Sequence, residues 1–262
     1  LSSGTSGAPK PVELTHANHL WSALASGLKL GVEPDDRWLC CLPLNHVGGL
    51  TILLRSALYG TAAEIHPGFD PERVAEAFAS GRVTIASLVP TQLVRLLDAG
   101  ADVSRPRLLL IGGGPLPLDV LEEAEARGAT AVQTYGLTEA CSQVCTLSPA
   151  EARAHPGSAG KPLLGVEVRV EGGQVLVRGP NVAPGAKADD GWLHTGDLGR
   201  LDEDGFLHLE GRRSDLIVSG GENVRPERVE DALRSHPGVA DVGAIGEADR
   251  EWGQRVVAHV VR

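Results

Sequence analysis

The first ten residues place hydroxyl side chains, glycines and one cation in a pattern that could hold phosphate. Residues 2–10 read Ser-Ser-Gly-Thr-Ser-Gly-Ala-Pro-Lys. Gly4 and Gly7 allow backbone N–H groups to turn toward an anion, and Lys10 adds a positive charge. The hydroxyl donors of the segment are Ser2, Ser3, Thr5 and Ser6. The spacing differs from that of a Walker loop, and a flexible Ser/Gly linker explains the segment equally well when it is taken alone.

Two further segments carry carboxylates at positions where they could do chemistry. Glu139 follows Thr138 after an apolar strand and a Tyr-Gly turn, and a carboxylate there is a hard oxygen ligand of the kind that magnesium prefers. Asp197 ends a Thr-Gly-Asp triplet fifteen residues before Arg212. A carboxylate can accept two hydroxyl groups, and a guanidinium can donate from the opposite side. A solvated surface charge and an ordinary turn are the alternatives.

Apolar strands alternate with amphipathic helices over the first half of the chain. This pattern predicts the α/β class, with a layered α/β large domain built on a mixed or parallel sheet. The predicted helices are 16–30, 48–59, 71–79, 90–99 and 118–127, and the predicted strands are 37–44, 62–65, 84–88 and 108–111.

The pattern of apolar residues and glycines changes in the second half of the chain. Short alternating segments broken by glycine, such as 166–170 and 174–178, predict a small β subdomain within 157–209. Beyond it, a strand at 216–218, a helix from Pro226 and a strand at 239–245 predict part of a small α+β domain. We therefore expect a large ligand-binding domain over 1–211, a hinge at 212–214 and a small C-terminal domain over 215–262.

Composition narrows the class of protein. The 262 residues are 42% hydrophobic, no stretch is long and apolar enough to span a membrane, and the net charge of −10 argues against nonspecific nucleic-acid binding. Cys40, Cys41, Cys141 and Cys145 lack zinc-site spacing, so we expect reduced, mostly buried thiols and a cytoplasmic protein. The chain opens on Leu1 inside a motif and contains no methionine, so we expect an internal piece. Self-association is left open.

The ordered set of segments 2–10, 133–140, 195–197 and 211–223 resembles the signature of the adenylate-forming superfamily. This superfamily includes acyl-CoA ligases, luciferases and peptide-synthetase adenylation domains. The resemblance extends to residues 253–260. Within the superfamily, segments 42–50, 54–60, 110–115 and 134–149 are most similar to the o-succinylbenzoate-CoA ligases of menaquinone biosynthesis.

The resemblance implies an ATP-dependent acid-CoA ligase that forms an acyl-adenylate and then a thioester, with ATP, Mg²⁺ and coenzyme A as cofactors or co-substrates. It gives Thr138, Glu139 and His46 catalytic roles and makes Glu139 the metal ligand. The implied ATP-binding residues are Ser2, Ser3, Gly4, Thr5, Ser6, Gly7, Lys10, Gly112, Gly113, Gly114, Tyr135, Gly136, Asp197 and Arg212.

The same resemblance implies an acid site and a thiol site. The acid site takes His46, Arg55, Ser87 and Gly113, and the coenzyme A site takes Gly220, Gly221 and Glu222. The sequence departs from the family in two places. The adenylation lysine is expected beyond Arg262, so the chain alone should be poorly active, and Ser214 followed by Asp215 stands at the expected hinge.

Arg55 is the clue to the substrate. It interrupts an apolar segment, where an unpaired charge is costly, so it should reach either a carboxylate or the surface. In an o-succinylbenzoate ligase it would be a counter-ion for the second carboxylate of the acid. Another aryl- or fatty-acyl-CoA ligase, a carrier-dependent adenylation module and a nonenzymatic nucleotide-binding protein are the alternatives.

Overall fold

The computed structural model describes residues 11–212, 216–219, 222–249 and 252–262. The chain divides into two compact units. The first comprises Leu1–Arg169, Leu176–His194 and Leu201–His208, and the second comprises Val170–Val175, Thr195–Arg200 and Leu209–Arg262.

Within residues 11–162, a helix followed by a strand occurs five times, and two further strands with a short helix between them come after these. In chain order the elements are α1 (His16–Leu30), β1 (Arg37–Cys40), α2 (Val47–Tyr59), β2 (Ala62–Ile65), α3 (Pro71–Ala79), β3 (Ile85–Leu88), α4 (Pro90–Asp98), β4 (Leu108–Ile111), α5 (Leu118–Ala126), β5 (Ala131–Leu137), β6 (Ser142–Thr146), α6 (Pro149–Ala154) and β7 (Lys161–Pro162).

The remaining elements are mostly strands. They are β8 (Glu167–Glu171), β9 (Gln174–Arg178), β10 (Leu193–Leu201), β11 (Leu207–Arg212), β12 (Ile217–Ser219), β13 (Glu222–Val224), α7 (Pro226–Arg234), β14 (Asp241–Asp249) and β15 (Gly253–Val261).

The largest sheet has seven strands in the order β2-β1-β3-β4-β5-β6-β7. The first five strands pair in parallel, whereas β6 and β7 are antiparallel, so the sheet is mixed, which is one of the two arrangements that the sequence predicts. The second sheet has the order β11-β10-β9-β8. The third has the order β13-β12-β15-β14 and is antiparallel throughout.

Side chains of the parallel strands alternate between two apolar cores. On β1, Leu39 belongs to one core while Trp38 and Cys40 belong to the other. On β4, Leu109 and Ile111 share the core of Leu39. Helices α3, α4 and α5 contribute to that core, and Leu30 of α1, Ile52 of α2 and Ala152 of α6 contribute to the opposite one. Both faces of the central strands are therefore buried, which explains their almost continuous apolar sequences.

The predicted elements agree with the structure except at some ends. Helix 16–30, helix 71–79 and strand 108–111 have the predicted bounds. The predicted strand 37–44 is too long, because β1 ends at Cys40 and Pro43 lies in the following turn. All four cysteines are free and buried, as expected. Among the described residues, no helix has the length and apolarity needed to cross a bilayer.

A partly buried ion pair joins α1 to α6. Lys29 Nζ lies 2.6 Å from Glu151 Oε2, and Glu151 also closes a capping box with Ser148 at the start of α6. Burial by itself raises the pKa of Glu151, but the hydrogen bonds from Lys29 and from Ser148 outweigh it and lower this pKa to about 2. The folded state therefore favours the ionised carboxylate.

We expect Glu151→Gln to lower the free energy of unfolding by about 1–3 kcal/mol at pH 7. A carboxyl whose pKa is depressed by folding stabilises the fold above its unfolded pKa of about 4.3, and this contribution is lost as the pH falls toward 2. The difference between wild type and variant in urea unfolding should thus shrink between pH 5 and pH 2. Glu122→Gln, at an exposed position of α5, is the control. A difference that is independent of pH would contradict this assignment.

Candidate active site

The carboxyl ends of the parallel strands place several of the predicted residues along one edge of the sheet. His46 follows β1, Gly112 to Gly114 follow β4, and Thr138 with Glu139 follows β5. Ser87 lies on β3 next to its carboxyl end. In open α/β sheets, ligands bind in the crevice outside this edge. The parallel pairing therefore gathers residues that are up to 93 positions apart in sequence.

The glycine loop after β4 lies too close to its neighbours for side chains. Gly112 N donates to Leu88 O at 3.1 Å, and a Cβ on Gly112 would lie 2.8 Å from Thr134 Cγ2. Gly113 has φ +79°, in the left-handed region that favours glycine. Gly113 and Gly114 are exposed, so their backbone is open to a flat ligand.

A tight turn connects β5 to β6 and carries Thr138 and Glu139. Residues Thr138–Ala140 form one turn of 3₁₀ helix, and Tyr135 before it is only 6% exposed. A Cβ on Gly136 would lie 1.8 Å from Ser142 O, so only glycine fits where the turn closes. Cys141 and Ser142 have positive φ values of 52° and 88°. Such conformations cost about 1–3 kcal/mol each for residues other than glycine and persist only when their surroundings impose them.

Hydrogen bonds from surrounding elements hold this turn. Cys141 N donates to Thr138 O at 3.0 Å, and Ala183 N donates to Glu139 O at 2.8 Å. Asn181 Nδ2 donates to Ala140 O at 3.0 Å. Ser22 Oγ of helix α1 donates to Cys141 O at 2.7 Å. The backbone that carries the predicted nucleotide and metal ligands is thus fixed from several sides.

The turn suits a magnesium ion that arrives with phosphate. Glu139 offers a half-buried carboxylate beside the Thr138 hydroxyl. Within the described residues, no group of three or more His, Cys, Asp or Glu side chains could hold a metal ion. Magnesium bound to a nucleotide commonly takes only one or two protein carboxylates, because phosphates and water supply its other ligands. Glu139 therefore fits this mode of binding.

Arg55 is a buried cation in helix α2. It is 2% exposed, which excludes the alternative that its guanidinium reaches solvent. Nη2 donates to Ser22 Oγ at 3.1 Å, and the guanidinium carbon lies 5.8 Å from the centre of the Trp38 ring. Nε is buried without a hydrogen-bond partner among the described residues. Burial lowers the pKa of Arg55, but a guanidinium remains charged at neutral pH.

Two further polar contacts lie near Arg55, one between Trp38 and Ser87 and one between Cys141 and His19. Trp38 Nε1 donates to Ser87 Oγ at 2.9 Å, which connects β1 to β3. Cys141 Sγ lies 3.2 Å from His19 Nδ1. Burial raises the pKa of Cys141 to about 11, and burial together with the charges of His16 and Arg55 lowers the pKa of His19. Both side chains are therefore neutral at pH 7, so neither of them compensates the charge of Arg55.

His46 lies in the connection that follows the carboxyl end of β1. It is the residue before helix α2, its side chain makes no capping hydrogen bond, and it is exposed. Its position leaves the imidazole open to a ligand. A core histidine, which is the simpler explanation of a lone histidine in an apolar motif, is not what the structure contains.

Asp197 and Arg212 meet in the second unit. Arg212 Nε donates to Asp197 Oδ1 at 2.9 Å, and the backbone N–H of Asp197 donates to Thr195 Oγ1 at 3.0 Å. The Asp197 side chain is nearly buried, whereas that of Arg212 is about half exposed. The predicted carboxylate and guanidinium are therefore neighbours and form a direct ion pair.

Some predicted site residues lie outside the described part of the chain. These are the seven phosphate-loop residues Ser2, Ser3, Gly4, Thr5, Ser6, Gly7 and Lys10, the hinge residue Ser214, and Gly220 with Gly221. Glu222 is described, and it is the exposed first residue of β13.

Sequence reasoning missed the polar residues that hold Arg55 and the turn. Ser22, Trp38 and Asn181 were not among the candidates, although each bonds a group in the predicted site. A signal for Ser22 is present in the sequence, since Ser22 and Ser26 are one helical turn apart on a helix otherwise rich in leucine and alanine. Their burial could not be read from the sequence.

Comparison with protein families gives two matches in chain order. The family described as AMP-binding enzyme matches residues 1–185. The AMP-binding enzyme C-terminal domain matches residues 228–262. Both the strained turn and the glycine loop lie within the first match.

Several relatives are similar over nearly the whole chain. The 2-succinylbenzoate–CoA ligases of Bacillus cytotoxicus and Bacillus cereus are 44% and 45% identical over 99% of the chain, which covers 59% of each relative. Bacillus subtilis o-succinylbenzoate CoA synthetase, solved with the acyl-adenylate OSB-AMP, has a TM-score of 0.91 and 43% identity, over 99% of this chain and 58% of that one. Its complex with ATP and magnesium ion has a TM-score of 0.90 and 42% identity over the same shares. The chain thus spans about three fifths of these proteins' length.

The close approach at Gly136 generates a prediction about the turn. Gly136→Ala should lower the free energy of unfolding by about 3 kcal/mol, because the added methyl group meets a backbone carbonyl that cannot move aside. Gly68→Ala is the matched control, since nothing lies within 4 Å of its added Cβ, and it should change stability by less than about 0.5 kcal/mol. Urea unfolding measures both variants. Equal stability of the two would show that the turn is looser than described.

Proposed function

Because the chain belongs to the family of AMP-binding enzymes, we propose that its protein is an ATP-dependent acid-CoA ligase acting on o-succinylbenzoate. The observation that carries the proposal is the buried Arg55, which Ser22 connects to the turn after β5 and which has no carboxylate partner among the described residues. A second carboxylate on the acid would supply that partner. The identity of about 45% to 2-succinylbenzoate–CoA ligases supports the same substrate.

The proposed reaction has two steps. A carboxylate oxygen of the acid attacks the α-phosphorus of ATP, which forms the acyl-adenylate and releases pyrophosphate. The sulfur of coenzyme A then attacks the acyl carbon, which forms the thioester and releases AMP. The thiol proton leaves with the second step. Each step exchanges one leaving group for one nucleophile, so no oxidant or reductant is needed.

In acyl-adenylate formation, each group of residues in the first unit contacts a different part of the substrates. Thr138 and Glu139 bind at the α-phosphate, where Glu139 would hold magnesium and the metal would reduce repulsion between phosphate and carboxylate. The backbone of Gly112 to Gly114 approaches the flat faces of adenine and acyl group, and Tyr135 packs by the adenine. His46 lies next to the reacting carboxylate. The segment from Ser2 to Lys10 is proposed to bind the β- and γ-phosphates.

The acid site and the second unit complete the proposal. Arg55, Ser87 and Gly113 bind the acid, and Arg55 pairs with the carboxylate that does not react. In the second unit, Asp197 accepts the ribose hydroxyls while Arg212 donates beside it. Gly220, Gly221 and Glu222 line the path of coenzyme A. Residues 1–211 are proposed as the large domain, 212–214 as the hinge and 215–262 as the small domain.

Thioester formation tests the function directly. The full open reading frame that contains the chain is used, because we expect the adenylation lysine to lie outside these 262 residues. The protein is incubated with ATP, Mg²⁺, coenzyme A and a panel of acids, and thioester is detected by mass. Turnover of o-succinylbenzoate above benzoates and fatty acids is expected. Adenylate formation with transfer only to a carrier-bound pantetheine would instead identify a carrier-dependent adenylation module.

The ribose site gives the next prediction. Asp197→Ala should weaken ATP binding by about 1–3 kcal/mol, because charged hydrogen bonds to the sugar are lost. Calorimetric titration with ATP measures the change. Asp204→Ala removes an exposed carboxylate from a turn and should leave ATP affinity unchanged. If ATP affinity is the same in the two variants, Asp197 does not bind the nucleotide.

Arg55→Ala tests the acid that the site accepts. Loss of the guanidinium leaves the second carboxylate without its partner and should cost about 2–5 kcal/mol in kcat/KM for o-succinylbenzoate. An analogue that lacks the second carboxylate has no such pair to lose, so its kcat/KM should change little. Measuring both acids with both proteins gives the coupling between residue and carboxylate. Equal losses for the two acids would make Arg55 structural.

A further inference from the structure

Helix α1 turns its polar side inward. Asn18, Ser22 and Ser26 are buried and lie on one stripe, since they are spaced by four residues. Large apolar side chains of the same helix face outward, and Leu24 and Leu28 are 49% and 66% exposed. A helix held by apolar burial has the opposite arrangement. Asn18 and Ser22 make hydrogen bonds to other segments, and together with the buried Ala23, Ala25 and Leu30 they fix the orientation of α1.

Ser22 makes the most informative of these bonds, because chemistry fixes their direction. A serine hydroxyl has one proton to donate and two lone pairs to accept with. The carbonyl of Cys141 can only accept and the guanidinium of Arg55 can only donate. The single proton of Ser22 therefore goes to Cys141 O at 2.7 Å, and its lone pair receives Arg55 Nη2 at 3.1 Å. The hydroxyl has one orientation that satisfies both.

The two partners of Ser22 belong to different parts of the proposed site. Arg55 is the residue proposed for the second carboxylate of the acid. Cys141 closes the turn of Thr138 and Glu139, since Cys141 N donates to Thr138 O at 3.0 Å. The Cys141 backbone has a φ of 52°, so it needs external bonds to keep this conformation. One hydroxyl thus connects the acid-binding cation to the nucleotide-binding turn.

We propose that Ser22 is a positioning residue that couples the two halves of the site. Its hydroxyl holds Arg55 and the Cys141 carbonyl in a single arrangement, so that a carboxylate bound at Arg55 favours the turn geometry that binds the nucleotide. By linkage, the nucleotide must then favour binding of the diacid by the same factor. The inference rests on the proposed function, because it uses the roles given there to Arg55, Thr138 and Glu139.

The packing around Arg55 explains why a serine is needed at this position. The Trp38 ring lies on one side of the guanidinium, and Trp38 itself is held by its bond to Ser87. Among the described residues, Nε has no hydrogen-bond partner. Removing the Ser22 hydroxyl would take away the acceptor of Arg55 Nη2 and leave the ring of Trp38 beside the guanidinium. Its donors would then no longer be aimed by a fixed acceptor.

The coupling can be measured at equilibrium without turnover. The probe is α,β-methylene-ATP, whose α–β bond cannot be cleaved, and its dissociation constant is determined by calorimetry with and without saturating o-succinylbenzoate. The protein is again the full open reading frame. We expect the diacid to tighten nucleotide binding at least about fivefold in wild type, the lower end of typical coupling between sites. In Ser22→Ala the effect should fall below twofold.

Matched variants separate positioning from general stability. Ser26→Ala removes a hydroxyl that is equally buried one turn along the same stripe, and it should keep the wild-type coupling. Ser22→Thr keeps the hydroxyl and should restore coupling. Ser22→Cys keeps the volume but only a weak hydrogen-bonding group, so it should lose coupling even if Ser22→Ala proves too unstable to assay. Thermal unfolding of each variant accompanies the titrations.

The results that would overturn the role of Ser22 differ from those that would overturn the proposed function. Full coupling in both Ser22→Ala and Ser22→Cys, or an equal loss in Ser26→Ala, would overturn the role of Ser22. Absence of coupling in wild type would overturn it as well, even where the protein forms the thioester. Failure of wild type to form any acyl-CoA thioester would overturn the proposed function, and the titrations would still report whether Ser22 connects the two ligands.

Discussion

A buried positive charge is the constraint on which the site end of the sheet depends. Arg55 is 2% exposed, and within the described residues no carboxylate compensates it. An isolated buried charge is costly, so the surroundings must supply what polar contact they can. They do so through Ser22, through the face of Trp38 and, beyond it, through Ser87. A helix and two strands are thereby arranged around one guanidinium.

The same arrangement bears on the turn between β5 and β6. Its left-handed residues Cys141 and Ser142 are unfavourable for side chains other than glycine, and the turn nevertheless closes onto Gly136. Hydrogen bonds from Ser22 and Asn181 to its carbonyls compensate part of that cost. Strain stored at a site in this way usually serves pre-organisation, because the ligand then meets groups already in place.

Helix α1 contacts both the Arg55 site and the turn through polar side chains on its buried side. Asn18 donates to the carbonyls of Pro180 and Val182, and Ser22 donates to the turn, so directed bonds add to the apolar contacts of Leu30 on the buried side of the helix. Apolar burial tolerates small rotations of a helix, whereas directed bonds do not. A helix that must aim a hydroxyl at two partners benefits from this second kind of contact.

Much of the fold followed from local pattern. The parallel strands are almost wholly apolar because both of their faces are buried, and the helices start with recognisable caps such as Asp70 before Pro71. The predicted ends failed where a buried strand continues into an apolar loop, as after Cys40, because hydrophobicity alone does not mark where hydrogen bonding to a neighbour stops. The order of the seven strands depends on pairing between distant segments.

For the site, the sequence by itself determined the residue types and their chain order: a glycine loop, a Thr-Glu pair, a Thr-Gly-Asp triplet and an arginine in an apolar helix. Those types limit the chemistry to phosphate, metal and carboxylate recognition. Only the tertiary structure decided which groups meet. It buried Arg55 rather than exposing it, turned Ser22 inward and placed both against the Cys141 turn. Burial and hydrogen-bond direction arise from contacts between distant segments, such as the bond of Ser22 to Cys141 across 119 residues, and no local pattern encodes them.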